Sequence, residues 1–166
     1  MKHFLRSVAV VTSLFFFTGT SLNASHLPHS FDLSTFYEAI AGKDTNELNS
    51  VLAELKQSDL PGREAYEGTL LMKKSGLLSK PKEKLSVFKS GRAKLEAAIQ
   101  KDPANCEYRF LRLIIQENVP KIVKYKSNIK EDSTLIRASY KNLSPIVQQA
   151  VKDYSKKSKT LTPSDF

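Results

Sequence analysis

The sequence predicts an all-α protein of about seven helices, arranged as antiparallel hairpins in one domain. Three observations carry that prediction. Apolar residues recur at i, i+3, i+4 and i+7 in one segment after another, which places them on one face of a helix. The segments are punctuated by Asp, Asn, Ser and Pro at positions suited to helix starts. No alternating apolar–polar run of useful length, the mark of a half-buried strand, interrupts them.

The first two helices are short. Leu33, Phe36, Tyr37 and Ile40 form one apolar face, and Leu48, Val51, Leu52 and Leu55 form the next. Gly42-Lys43-Asp44-Thr45 separates them, with Asp44 as cap and Glu47 three residues on as its capping-box partner. A third helix starts near Pro61 and runs to about Leu77. Its stripe of Ala65, Gly68, Thr69 and Met72 is narrow. Glycine inside a helix costs about 1 kcal/mol relative to alanine, so Gly68 marks a close approach by a neighbouring helix. After the Ser79-Lys80-Pro81-Lys82 loop, a fourth helix aligns Leu85, Phe88, Leu95, Ala98 and Ile99, with Gly91 open to a neighbour.

Asp102-Pro103 reads as the cap and first residue of a fifth helix, spanning about residues 103–118. This is the most apolar helix, with Cys106, Tyr108, Phe110, Leu111, Leu113, Ile114 and Ile115, and so wide an apolar surface implies a central position. Asn128 with Glu131 opens a sixth helix, and Ser144-Pro145 opens a seventh through Ile146, Val147, Ala150, Val151 and Tyr154. Residues 156–166 are rich in Lys, Ser and Thr and are expected to form a disordered basic tail.

The segment ahead of these helices reads differently. Met1 to Arg6 is basic, Val8 to Phe17 is mostly apolar, and small and polar residues follow to Ser25. That order is the layout of a secretory signal peptide. Cleavage after Ala24 is expected, which divides the chain into a signal peptide at 1–24, a helical domain at 25–155 and the tail. The apolar run is about ten residues, against the ~20 a bilayer-spanning helix needs; an uncleaved anchor is the competing reading. The expectation is an exported protein, periplasmic or secreted, soluble and without a transmembrane segment once cleaved. Export removes nucleic acid from the leading partners.

The net charge is +9 and is regional. Residues 25–72 are acidic overall, whereas 73–94 carry eight basic side chains against Glu83 alone, and 119–166 are again basic. Such a surface either attracts an anionic lipid or polysaccharide of the envelope or serves as a solvated face. Cys106 is the single cysteine, so the chain forms no internal disulfide.

Catalytic and metal chemistry find little support. After cleavage the histidines are confined to His26 and His29, which leaves no Ser–His–Asp or Cys–His set and no third ligand for a metal. No glycine-rich phosphate loop occurs. The expectation is a non-enzymatic protein with neither cofactor nor metal; an enzyme with an unrecognised site is the alternative.

One stripe invites a binding role. Asn105, Arg109, Arg112 and Gln116 fall at i, i+4, i+7 and i+11 on the fifth helix, and Asn118 lies just beyond. As the floor of a groove, the two guanidinium forks suit a carboxylate or phosphate of a protein or peptide partner. As internal residues, Arg109 and Arg112 pair with glutamates such as Glu64, Glu67 or Glu96 and set the packing register.

Gly91, Leu95, Ala98 and Pro103, within Ala98-Ile99-Gln100-Lys101-Asp102-Pro103-Ala104-Asn105, resemble the second helix and closing turn of a tetratricopeptide repeat. Pro61 and Pro103 each precede a tyrosine, Tyr66 and Tyr108, by the same interval. The first-helix signature is absent after Pro103, where Leu111-Arg112-Leu113 stands, so the resemblance is to a degenerate array. It implies stacked helical hairpins and a protein-binding role. Leu70-Leu71-Met72-Lys73-Lys74 and the run from Tyr108 to Pro120 also resemble stretches of exported helical proteins of Bacteroidota-type bacteria, which implies export but no activity.

Overall fold

The computed structural model describes residues 30–166, and the signal-peptide segment, its cleavage site, His26 and His29 lie outside the described residues. Among the described residues the fold is all-α, with seven α-helices, three short 3-10 turns and no strand. The helices are α1 (Leu33–Ala41), α2 (Thr45–Gln57), α3 (Arg63–Leu77), α4 (Pro81–Lys101), α5 (Cys106–Asn118), α6 (Ile129–Ser139) and α7 (Pro145–Ser155).

Local chemistry sets most of the boundaries. Asp32 caps α1 and Asp44 caps α2, each carboxylate accepting a backbone N–H two residues on at 2.8 Å. Gly62 leads into α3 with φ of +70°, and the Tyr108 hydroxyl lies where a side chain on Gly62 would begin. Only glycine meets both demands. Ser144 caps α7 from one position before Pro145.

The α3 and α4 backbones approach closely at a pair of glycines. A Cβ on Gly68 would lie 2.5 Å from the Gly91 carbonyl oxygen, and a Cβ on Gly91 would lie 2.5 Å from the Gly68 carbonyl oxygen. The two glycines face each other and let the backbones touch. Leu71 and Met72 of α3 and Leu95 of α4 stand against the two glycines and complete the seam.

α5 occupies the centre, as its apolar breadth predicts. It contacts α3, α4, α6 and α7, and Phe110, Leu111 and Leu113 are fully buried. Its start differs from expectation. Asp102 closes α4, its N–H bonding to the Ala98 carbonyl, and Pro103-Ala104 forms a turn. Asn105 is the true cap: its Oδ1 accepts the Tyr108 N–H at 3.1 Å while its Nδ2 donates to Asp102 at 3.1 Å.

The C-terminal segment also corrects the sequence reading. Residues 156–166, expected to be a disordered tail, fold back against the domain. Glu117 at the end of α5 is buried and accepts hydrogen bonds from Tyr154, Ser158, Thr160 and the Lys159 N–H. Leu161 is buried, Arg137 bonds the Thr160 carbonyl and pairs with Asp165 at 3.1 Å, and the Phe166 ring lies 4.6 Å from that of Tyr140. A carboxylate waiting in the core turns a polar segment into a fitted strap.

Candidate functional site

The stripe on α5 divides between two faces. Arg112 is buried and forms a fork with Asp132 of α6: Nε donates to Oδ2 at 2.8 Å and Nη2 to Oδ1 at 2.7 Å. Its third donor, Nη1, reaches Glu96 of α4 at 3.0 Å. Burial alone would lower the Arg112 pKa, but Asp132 and Glu96 outweigh it and the pKa is raised. Arg109 donates to the same Asp132 at 3.1 Å, to Glu131 at 3.0 Å and to the Pro103 carbonyl at 3.0 Å. Glu96 is held from its other oxygen by the Tyr125 hydroxyl at 2.5 Å, and Arg92 covers that ring at 4.5 Å.

This is an internal network that ties α4, α5 and α6. Asp132 is fully buried and surrounded by two guanidinium groups, so its charge is matched where it stands. Of the glutamates named from sequence, Glu96 is a partner, whereas Glu64 pairs with Lys101 and Glu67 with Lys94. Gln116 is fully buried, with Nε2 bonded to Asn128 at 3.3 Å and Oε1 without a partner among the described residues. Asn105 is occupied as a cap. Arg109 borders an open depression between the α5 start and α6, but its guanidinium is already engaged.

Only Asn118 of the five stripe residues reaches a larger concavity. Its Nδ2 donates to the Ile114 carbonyl at 2.8 Å and to the Tyr154 hydroxyl at 3.0 Å. There, α1, α5 and α7 enclose a groove of about 700 Å³. Its floor is the second apolar face of α5, with Phe110, Ile114 and Ile115. One wall is Tyr37, Ile40 and Ala41 of α1, and the other is Ile146, Ala150 and Tyr154 of α7. Ile146 is 44% exposed, so part of this apolar lining meets solvent.

The rim is charged. Lys43 from the α1–α2 turn, Lys73 from α3 and Lys157 beyond α7 all border the groove, with Glu38 and Asp153. Asp153 is tied to Lys156 at 2.7 Å and to Gln149 at 2.9 Å. Lys73 is half-buried, and burial, then Lys157 and Lys43, lowers its pKa.

Behind the α1 wall lies a polar cluster. The Tyr37 hydroxyl donates to Glu107 at 2.7 Å, and burial raises the Glu107 pKa against the opposing hydrogen bonds from Tyr37 and Tyr66. Burial, with Glu107 nearby, pushes the Cys106 thiol up to about 11, so it stays protonated at neutral pH.

Comparison with protein-family models, with curated proteins and with solved structures finds no match to this chain. Fold and site together describe an all-α domain with an apolar groove rimmed by lysines. The groove residues missed from sequence lie on segments far apart in the chain. The one local signal was the width of the α5 apolar surface, more than one packing face consumes.

Proposed function

We propose that this chain is an exported, non-enzymatic binding protein that takes an apolar portion of its partner into the groove between α1, α5 and α7. The observation that carries the reading is the groove itself: about 700 Å³, with an apolar floor and two apolar walls. That volume lies within the range of small-molecule sites, roughly 300–1,000 Å³. The partner class is a peptide segment or small amphiphile with an apolar body.

Export rests on the order of basic, apolar and small residues over 1–24. The non-enzymatic reading rests on how the reactive groups are used. The Cys106 thiol is buried and protonated, Asp132 is locked between arginines, and Glu117 is consumed by the strap. The tetratricopeptide-like spacing from Gly91 to Pro103 is consistent with a hairpin scaffold serving recognition.

Fluorescence of the neutral dye N-phenyl-1-naphthylamine tests the groove. The full chain should brighten the dye, and Ala150→Trp, which adds bulk to the α7 wall, should weaken binding by at least about tenfold. No brightening, or an unaffected variant with the native melting profile, removes this reading. Export is tested separately by the mass of the protein recovered after secretion, expected to lack residues 1–24.

A second reading is favoured by a different observation. Ile122 is 87% exposed beside Lys121, Lys124 and Lys126, and Leu85 is 53% exposed among Lys82, Lys84 and Lys89. Tyr125 packs edge-on to Phe88 at 5.9 Å, which holds the Ile122 turn against α4. Apolar tips among cations suit an anionic envelope surface. Retention on phosphatidylglycerol vesicles should fall steeply with salt and with Ile122→Ser; absent or salt-insensitive retention counts against it.

A further inference from the structure

We propose that the groove holds a single-chain anionic amphiphile, an alkyl chain ending in a carboxylate, with its head group beside Lys43, Lys73 and Lys157. This rests on the groove reading above and names the chemistry of the occupant.

Three features of the site point to that chemistry. The first is shape. A continuous apolar floor on one helix, closed by walls from two others, accommodates an extended or gently bent chain. Its few polar groups are largely committed: the Asn118 amide N–H bonds the Ile114 carbonyl and Tyr154, and the Tyr37 hydroxyl bonds Glu107. An alkyl chain needs no hydrogen bonds and leaves none of these groups unpaired.

The second is the placement of charge. Three cations from three separate parts of the chain converge on one groove, and none of them pairs with a carboxylate among the described residues. Of the rim acids, Asp153 is held by Lys156 and Gln149, and Glu38 is exposed on α1. Lys73 is half-buried, so its ammonium has surrendered water without gaining a counter-charge. The lowered Lys73 pKa reflects first that burial and then the like charges of Lys157 and Lys43; an anion at this point offsets both.

The third is the pairing of the two. Lys73 lies close enough to both Lys157 and Lys43 to feel their like charges, so the three share one part of the rim. Of the polar groups along the two edges, Ser34 is bonded to Asp32 and Gln149 to Asp153, which leaves little for an amphipathic helix, whereas a chain with one charged end wants one charged corner. Lysine in place of arginine fits a mobile carboxylate head held by point charges and not by a rigid fork.

The test is displacement of N-phenyl-1-naphthylamine from the full chain by dodecanoate, dodecanol and dodecyltrimethylammonium, each below its micelle threshold. Dodecanoate should displace the dye at a concentration at least about tenfold below the other two. Lys73→Met should erase most of that preference, read as the ratio of dodecanoate to dodecanol potency on the same variant. Lys157→Met, at an exposed position, serves where the first variant melts early. Equal potency of the three chains overturns the proposal and leaves the groove reading standing. A preference that survives both lysine substitutions also overturns it. A wild-type chain that takes no dye at all removes both.

Discussion

Alanine at Gly68 sets two opposed effects against each other, and the structure decides which prevails. In an exposed helix the change would stabilise by about 1 kcal/mol, because alanine loses less backbone freedom. At Gly68 the new Cβ would stand 2.5 Å from the Gly91 carbonyl oxygen and 2.8 Å from the Leu95 nitrogen. Both are backbone atoms of α4 and neither can rotate away. The helices must separate by roughly 1 Å, and overpacking of this kind costs about 1–3 kcal/mol. Contacts of Leu71, Met72 and Leu95 along the seam loosen as well. The net expectation is destabilisation by about 1–2 kcal/mol. Gly76, on the same helix, has nothing within 4 Å of its would-be Cβ and supplies the control. Gly76→Ala should be neutral to stabilising by up to about 1 kcal/mol. Urea denaturation followed by circular dichroism reads both. A Gly68→Ala midpoint at or above wild type would show that the seam is not closely packed and refute the argument. The Gly68→Ala/Gly91→Ala pair should be less than additive, since one separation relieves both clashes.

Removing the Asp132 carboxylate as Asp132→Ala should cost about 3–5 kcal/mol, because Arg112 is left buried with only Glu96; Glu131→Ala, on an exposed partner of Arg109, should change the stability read by urea denaturation by less than about 0.5 kcal/mol. Leu161→Ala should cost about 2–4 kcal/mol, as for other buried leucines, whereas a disordered tail would show no change in thermal unfolding. Acid sensitivity should divide by carboxylate. At Glu117, burial raises the pKa but the hydrogen bonds from Thr160, Tyr154, Ser158 and Lys159 overcome it and hold it low. Its contribution is therefore present above the ordinary glutamate range and lost as pH falls through the folded value, so Glu117→Gln should flatten the acid limb of the stability profile. Glu107 has the opposite sign: its raised pKa means stability falls as pH rises from the ordinary glutamate range through the folded value. Glu107→Gln should abolish that fall, and an unchanged profile would exclude Glu107 as its source.

The helices were legible because their information is local. Leu48, Val51, Leu52 and Leu55 state their own face, and Asp44 states where it begins. Gly68 and Gly91 were legible as approach points because a helix tolerates glycine poorly without such a reason. The start of α5 was misread because Asp102-Pro103 and Asn105 are both good punctuation, and only the Asn105–Asp102 hydrogen bond chooses between them. The strap was misread because its Lys, Ser and Thr content is that of an unfolded chain. Its order comes from Glu117, some forty residues earlier in the chain, and Leu161 and Phe166 were the apolar hints. The arginine network was half legible. Glu96 was a foreseeable partner, but Asp132 enters from α6, and no pattern on α5 announces it. The lysines of the groove were beyond reach for the same reason, being brought together by α1, α3 and α7.

The two walls of the groove belong to opposite ends of the described chain, α1 near its beginning and α7 just before the strap, and the two helices touch only sparingly. Chain ends are where a domain ordinarily frays first. A guest lying between these walls becomes a clasp joining both ends, adding RT ln(1 + [L]/Kd) to whatever opening separates them. Occupancy should therefore register as resistance to exopeptidase trimming at Phe166, a residue the guest never touches.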